Sequence, residues 1–204
     1  MADDASFWNK IAAKYAASPV KDEAAYAETL ERARAYLSRE ATVLELGCGT
    51  GTTALKLAPH VTHITATDIA GEMINIARGK AGDIENVTFA QDDTSCHGIA
   101  DASLEAVLAF SLLHLVRDLP AALARVNAVL KPGGMFISKT PCLAQQTRLW
   151  SLPIALMRVI GKAPFVNLLT FPALDRAIQS AGFEIIETDV LPPPVARFAV
   201  ARKI

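Results

Sequence analysis

The chain has 204 residues, 51% of them hydrophobic, and a formal net charge of −1. That length suits one well-buried domain with a little over, and the near-neutral total gives no global attraction to nucleic acid or anionic lipid. The charge is uneven, however: Leu119 to Leu174 holds Arg125, Lys131, Lys139, Arg148, Arg158 and Lys162 but no Asp or Glu, so this segment is +6 and the rest −7.

Two alanine-rich stretches with helical spacing, Ala2–Ala16 and Asp22–Arg39, open the chain, separated by Ser18-Pro19. Apolar, β-branched runs then predict strands at Thr42–Leu46, His63–Thr67, Val87–Ala90, Leu104–Phe110 and Met135–Lys139. Helical stretches near Thr52–Ala58, Glu72–Gly79 and Pro120–Leu130 alternate with them, the last stopped by Lys131-Pro132-Gly133-Gly134. A βαβ series of this kind makes the class α/β, with a parallel sheet covered by helices.

The apolar stretch Leu149–Leu169 follows. Ser151 as N-cap, Pro153 in the first turn and Gly161 with Pro164 at the end predict a helix over Leu152–Ile160. At about 14 Å it is too short for the ~30 Å of a bilayer core. It is an amphipathic cover, and core, acceptor lid and membrane-surface contact all remain open as what it covers or touches. A helix near Pro172–Ala181 and two strands, Glu184–Val190 and Ala196–Arg202, joined through Leu191-Pro192-Pro193-Pro194, close the chain as an antiparallel hairpin.

The chemistry gathers at the end of the first strand, Glu45-Leu46-Gly47-Cys48-Gly49-Thr50-Gly51-Thr52-Thr53-Ala54. Glycines at a strand-to-helix turn let the backbone take positive φ and approach a nucleotide-like ligand closely. Gly49 to Ala54 also satisfies the dinucleotide pattern, with Asp68 as a ribose acid, so the loop alone leaves the ligand open. Glu45 before the glycines, Asp68 ending the second strand and Asp92-Asp93 ending the third resemble the class I S-adenosylmethionine-dependent methyltransferases of the small-molecule type, over Phe7 to about Thr140. A sulfonium and an ammonium without phosphate call for acids rather than a phosphate cradle, and a carboxylate beside a pyrophosphate would repel it.

The resemblance implies a single domain with a Rossmann-like seven-stranded sheet, mostly parallel with an antiparallel C-terminal hairpin, and helices on both faces. Its parts are an N-terminal helical lid (1–40), a cofactor-binding core (41–140), a hydrophobic insertion (141–171) and a C-terminal helix and hairpin (172–204). It implies S-adenosylmethionine as cofactor, held by Tyr15, Glu45, Gly47, Cys48, Gly49, Gly51, Asp68, Ile69, Asp92, Asp93, Thr94 and Phe110. Asp68 meets the ribose, and Asp93 in preference to Asp92 meets the adenine amine, with Thr94 offering a backbone amide. Leu104-Glu105 stands where the family has Phe-Asp, and Leu115 where a second histidine is common.

In-line methyl transfer needs an oriented acceptor and excluded water more than a dedicated base, so Tyr15 and His114 are the only catalytic candidates. For Trp8, packing is the preferred role. Cys48, Cys96 and Cys142 are scattered, Cys142 is a buried thiol, and the four histidines do not join the cysteines at metal-ligand spacing, so no metal is expected. The start of the chain lacks the pattern of a signal peptide, which points to a reduced, cytoplasmic setting. The acceptor is expected to be a small hydrophobic or amphipathic molecule, lipid-like or quinone-like, with no nucleic acid partner. A nicotinamide-dependent oxidoreductase and a non-catalytic adenosyl-cofactor-binding protein are the alternatives.

Overall fold

The computed structural model describes residues 2–18, 20, 22–145, 164–191 and 195–204. Seven strands, β1 (Thr42–Leu46), β2 (His63–Asp68), β3 (Val87–Gln91), β4 (Leu104–Phe110), β5 (Leu130–Pro141), β6 (Phe183–Leu191) and β7 (Ala196–Lys203), form one sheet in the order β3-β2-β1-β4-β5-β7-β6. β1 to β5 pair in parallel, and β7 runs antiparallel between β5 and β6. Because the order steps one way from β1 to β3 and the other way from β4, a crevice opens at the carboxyl ends of β1 and β4, where open α/β sheets bind ligands.

Helices cover both faces, so the central strands β1 and β4 are apolar on both sides instead of alternating. Leu44, Leu46, Val107, Ala109 and Phe136 face α5 (Leu119–Val129) and α6 (Phe171–Ser180), whose Leu123, Val126, Leu174 and Ile178 complete that layer. Val43, Ala106, Leu108, Ile137 and Phe198 face α2 (Glu23–Arg34), α3 (Thr52–Leu57) and α4 (Gly71–Lys80) through Leu30, Ala33, Ala54, Leu57, Ile74 and Ala77.

α1 (Ala2–Ala17) crosses the carboxyl-end rim and docks on α4, burying Ala12 against Ala70 and Met73 beside Trp8. Ala70, at the N-cap of α4, has no capping side chain. The Asn9 side chain of α1 accepts from the Glu72 N–H at 2.9 Å and so caps α4 from another helix. At the other end of α4, Lys80 donates to the carbonyl and hydroxyl of Thr50 at 2.9 and 2.7 Å and to the Thr52 hydroxyl at 3.1 Å. Near the start of α1, Asp4 accepts two bonds from Arg117, at 2.8 and 3.0 Å, and Arg117 stacks 4.7 Å over the Phe165 ring.

Two elements differ from expectation. α2 ends at Arg34, not Arg39, because Tyr36 and Leu37 turn into the core while Arg32 and Tyr36 bond the Glu187 carboxylate on β6. Lys131 to Gly134 is not a plain helix stop. Leu130 already pairs with Leu104, the four residues bulge outward with Gly133 at φ +76°, and pairing resumes at Met135. The helix expected over Leu152–Ile160 lies outside the described residues, as do Arg148, Arg158, Lys162 and the three prolines of the hairpin. No helix among the described residues is long and apolar enough to cross a membrane.

Candidate active site

The three glycines after β1 all take positive φ, +66° at Gly47, +53° at Gly49 and +76° at Gly51, for different reasons. A Cβ on Gly51 would lie 2.6 Å from the Phe89 ring and 2.8 Å from Ala77, so this glycine seats α3 against α4 and β3. At Gly49 the nearest atom to such a Cβ is Tyr15 Cε1 at 3.8 Å, and the space it would enter is the crevice. The loop is tied to β2 by Cys48 N–H donating to Thr67 O at 2.9 Å.

The crevice encloses about 710 Å³, within the range of small-molecule sites. Of the residues expected there, Tyr15, Gly47, Gly49, Asp68, Ile69, Asp92, Asp93, Thr94 and Phe110 line it, whereas Glu45, Cys48 and Gly51 do not. Glu45 is only 3% exposed and lies beneath the loop. Its Oε2 has no partner among the described residues, and burial, opposed by the Ala54 N–H, pushes its pKa up to about 8. Burial likewise raises the Cys48 thiol, so it is inert.

Asp68 is the junction of the site. Its Oδ2 accepts from Gly49 N–H and its Oδ1 from Ala70 N–H, both at 2.9 Å, so one carboxylate shapes the glycine loop and the start of α4. Burial raises its pKa against these two bonds.

After β3 the two acids divide their work. Asp92 accepts from Asp93 N–H at 2.9 Å and His97 N–H at 2.7 Å and contacts His97 Nδ1 at 2.8 Å, which occupies both of its oxygens. Asp93 uses Oδ1 for the backbone N–H (2.8 Å) and hydroxyl of Ser95, leaving Oδ2 without a hydrogen bond to the described residues. Burial pushes the Asp93 carboxyl up, but the Ser95 bonds hold it below the usual range, while the Asp92 bond raises His97. Asp92, Asp93 and His97 bring three potential ligand atoms within 4.8 Å, bonded to one another as a loop brace.

His114 does not line the crevice. Its Nδ1 has no partner among the described residues, burial lowers its pKa to about 4, and its carbonyl accepts from Asn167 N–H at 2.6 Å. Tyr15 is 51% exposed at the rim, edge-on to Trp8 with ring centroids 6.3 Å apart.

The crevice also gathers Asp4, Trp8, Met73, His97, Leu112, Arg117 and Arg125, none of which was expected there. Trp8 and Tyr15 lie seven residues apart, two helical turns, and so share one face of α1, a signal present in the sequence. The arginines come from a turn and a helix that only the folded topology brings to the mouth.

A model of the methyltransferase domain family matches residues 20–188. The chain is 32% identical over 153 residues to the biotin biosynthesis bifunctional protein of Saccharophagus degradans, covering 72% of this chain but 27% of that protein. It also matches much larger synthetases of which it spans 4%. Against the ubiquinone biosynthesis O-methyltransferase of Methylobacterium nodulans it is 28% identical, covering 79% of this chain and 68% of the relative. The solved structure of an S-adenosylmethionine-dependent methyltransferase from Mesorhizobium loti superposes with a TM-score of 0.75 at 18% identity, covering 88% of this chain and 98% of that one.

Proposed function

The chain belongs to the methyltransferase-domain family, and from that premise we propose that it is an S-adenosylmethionine-dependent methyltransferase whose acceptor is a small hydrophobic or amphipathic molecule. The observation that carries the reading is the wall of the crevice beyond the acids and glycines. Trp8, Met73, Leu112, Leu115, Val116 and Ala122 make it apolar, next to the cradle that Gly47 and Gly49 keep open. A quinone-like or lipid-like acceptor suits such a wall, and the relative named for ubiquinone biosynthesis supports the same class.

The residues fit the cofactor. Gly49 leaves room for close backbone approach, Asp68 retains lone pairs for the ribose hydroxyls, and Asp93 Oδ2 is available to an amine, whereas both oxygens of Asp92 are engaged. Glu45 does not touch the ligand in this arrangement. Its buried carboxyl, with one oxygen unpartnered, would stabilise a cation above the loop and ionise as that cation arrives. A dinucleotide pyrophosphate above the same carboxyl would instead keep it protonated and draw no charge stabilisation from it.

The bound cofactor supplies a methyl group already activated by its sulfonium. The chain then has to align the acceptor and exclude water, for which α1 crosses the rim with Trp8 and Tyr15. Asp4 and Arg117 hold α1 to the turn after β4. His114, buried away from the crevice and made a weak base by that burial, does not suit the role of base, and Tyr15 is the remaining side chain for orienting the acceptor.

The test is calorimetric titration with S-adenosylhomocysteine and with NAD, followed by a screen of quinols, phenols and fatty acids that reads S-adenosylhomocysteine formation. Micromolar binding of the adenosyl ligand and turnover confined to apolar acceptors are expected. Turnover only with polar or macromolecular acceptors overturns the acceptor class.

A further inference from the structure

We propose that Arg125 is a positioning residue, holding the loop after β3 in the shape in which Asp93 and Thr94 receive the adenine of the cofactor. The inference rests on reading that loop as the adenine site.

Arg125 projects from α5 into one point of the 92–103 loop. Its Nε donates to Ser95 O at 3.0 Å, one terminal nitrogen donates to Ile99 O and to Cys96 O, the latter at 3.4 Å, and the other pairs with the Asp101 carboxylate. Three backbone carbonyls within five residues thus point at one guanidinium. Cys96 O also accepts from Ile99 N–H, but without the cation the Ser95 and Ile99 carbonyls would need water or a different loop path.

Beyond the Asp92–His97 and Asp93–Ser95 bonds, the loop has little of its own to hold that shape. Cys96 and Ala102 stand at φ +51° and +48°, a region that costs a residue with a side chain about 1 kcal/mol or more. Its internal backbone bonds are few and long, Cys96 N–H to Asp93 O at 3.4 Å and Ile99 N–H to Cys96 O at 3.2 Å. The carbonyl that accepts from Arg125 Nε belongs to Ser95, whose N–H and hydroxyl bond Asp93 Oδ1. A chain of contacts therefore runs from the guanidinium through Ser95 to the acid whose other oxygen is available to a ligand.

Two further points separate this role from an ordinary surface ion pair. The Asp101 side chain is 73% exposed, so the salt bridge alone contributes little. Arg125 itself also lines the crevice beside Asp93 and Thr94. A lysine, a point charge with three donors and no planar fork, cannot serve four acceptors in this arrangement.

The test compares S-adenosylhomocysteine with the analogue carrying hydrogen in place of the adenine amine, titrated into the full chain and into Arg125→Ala and Arg125→Lys. Wild type should favour the amine by about tenfold or more, the value of a hydrogen bond to a carboxylate. In Arg125→Ala that preference should shrink to within about twofold, Arg125→Lys should fall between, and kcat at saturating cofactor should change far less than the cofactor KM. General destabilisation lowers both affinities together and leaves their ratio intact. A variant that keeps the tenfold preference overturns the inference, and so does a wild type that binds both ligands equally. Failure of the wild type to bind S-adenosylhomocysteine at all would instead refute the underlying reading of the site. If Arg125→Ala does not fold, the ratio in Arg125→Lys decides the matter.

Discussion

Replacing Asp68 by alanine removes one carboxylate with two separable tasks. Toward the protein it deletes the acceptors of the Gly49 and Ala70 N–H groups, both bonded at 2.9 Å. Bonds to a charged group contribute about 1.5–3 kcal/mol each, discounted here because both N–H groups can partly recover water, so a loss of roughly 2–4 kcal/mol in unfolding free energy is expected. Against a typical total of about 5–15 kcal/mol the domain stays folded. Toward the ligand it deletes two bonds to the ribose, so S-adenosylhomocysteine should weaken by about a hundredfold or more. Urea denaturation reads the first effect and calorimetry the second. A 2′,3′-dideoxy analogue separates ligand contact from loop collapse, since wild type should discriminate strongly against it and Asp68→Ala should not. A wild type that binds the dideoxy ligand as tightly as the parent would remove Asp68 from the ribose and leave it only as a loop tie.

Other substitutions bear on neighbouring parts of the site. Glu45 ordinarily titrates near 4.5 and here near 8, so between these values the folded state keeps a proton the unfolded chain has lost, and stability falls as pH rises through that window. Glu45→Gln should therefore match wild type near pH 4.5 and exceed it by a few kcal/mol above about pH 8; equal pH slopes in the two proteins would refute the burial argument. His114 is shifted the other way, to about 4, so it costs stability as pH falls from 6.5 toward 4. His114→Phe should flatten that acid slope while leaving any ionisation between about pH 6 and 7 in the rate profile unmoved, and its disappearance would reinstate His114 as a base. Gly51→Ala combines a positive φ with a 2.6 Å clash on Phe89 and should lower Tm by about 8 °C, from roughly 3 kcal/mol at ~2–4 °C per kcal/mol. A shift under about 2 °C would mean that α3 can move away freely.

The parallel sheet and the glycine loop were legible because each rests on local signals, namely apolar runs, glycines at a turn and an acid at a strand end. The hairpin was legible for the same reason. What escaped depends on distance through space. Nothing near Arg125 in the chain indicates that three carbonyls 26 to 30 positions away converge on it, and Lys80 meets Thr50 across 30 positions. Glu45 shows the opposite limit. Its place before the glycines was plain, but alternation could not tell whether it opens on the crevice or sinks beneath it, because a strand covered on both faces has no wet side. The length of α2 was overestimated because alanine-rich spacing continues past Arg34, and only the contacts of Tyr36 and Leu37 with the core end it.

α4 is gripped at one end by Asn9 of the crossing helix and at the other grips the glycine loop through Lys80. Ten residues of helix, about 15 Å, work as a strut between the two. Any tightening that a bound cofactor imposes on the loop is thermodynamically returned at α1, since coupling between two sites is reciprocal. Cofactor saturation should thus protect the first helix from exchange and proteolysis, and shortening that helix should be felt as a weaker cradle.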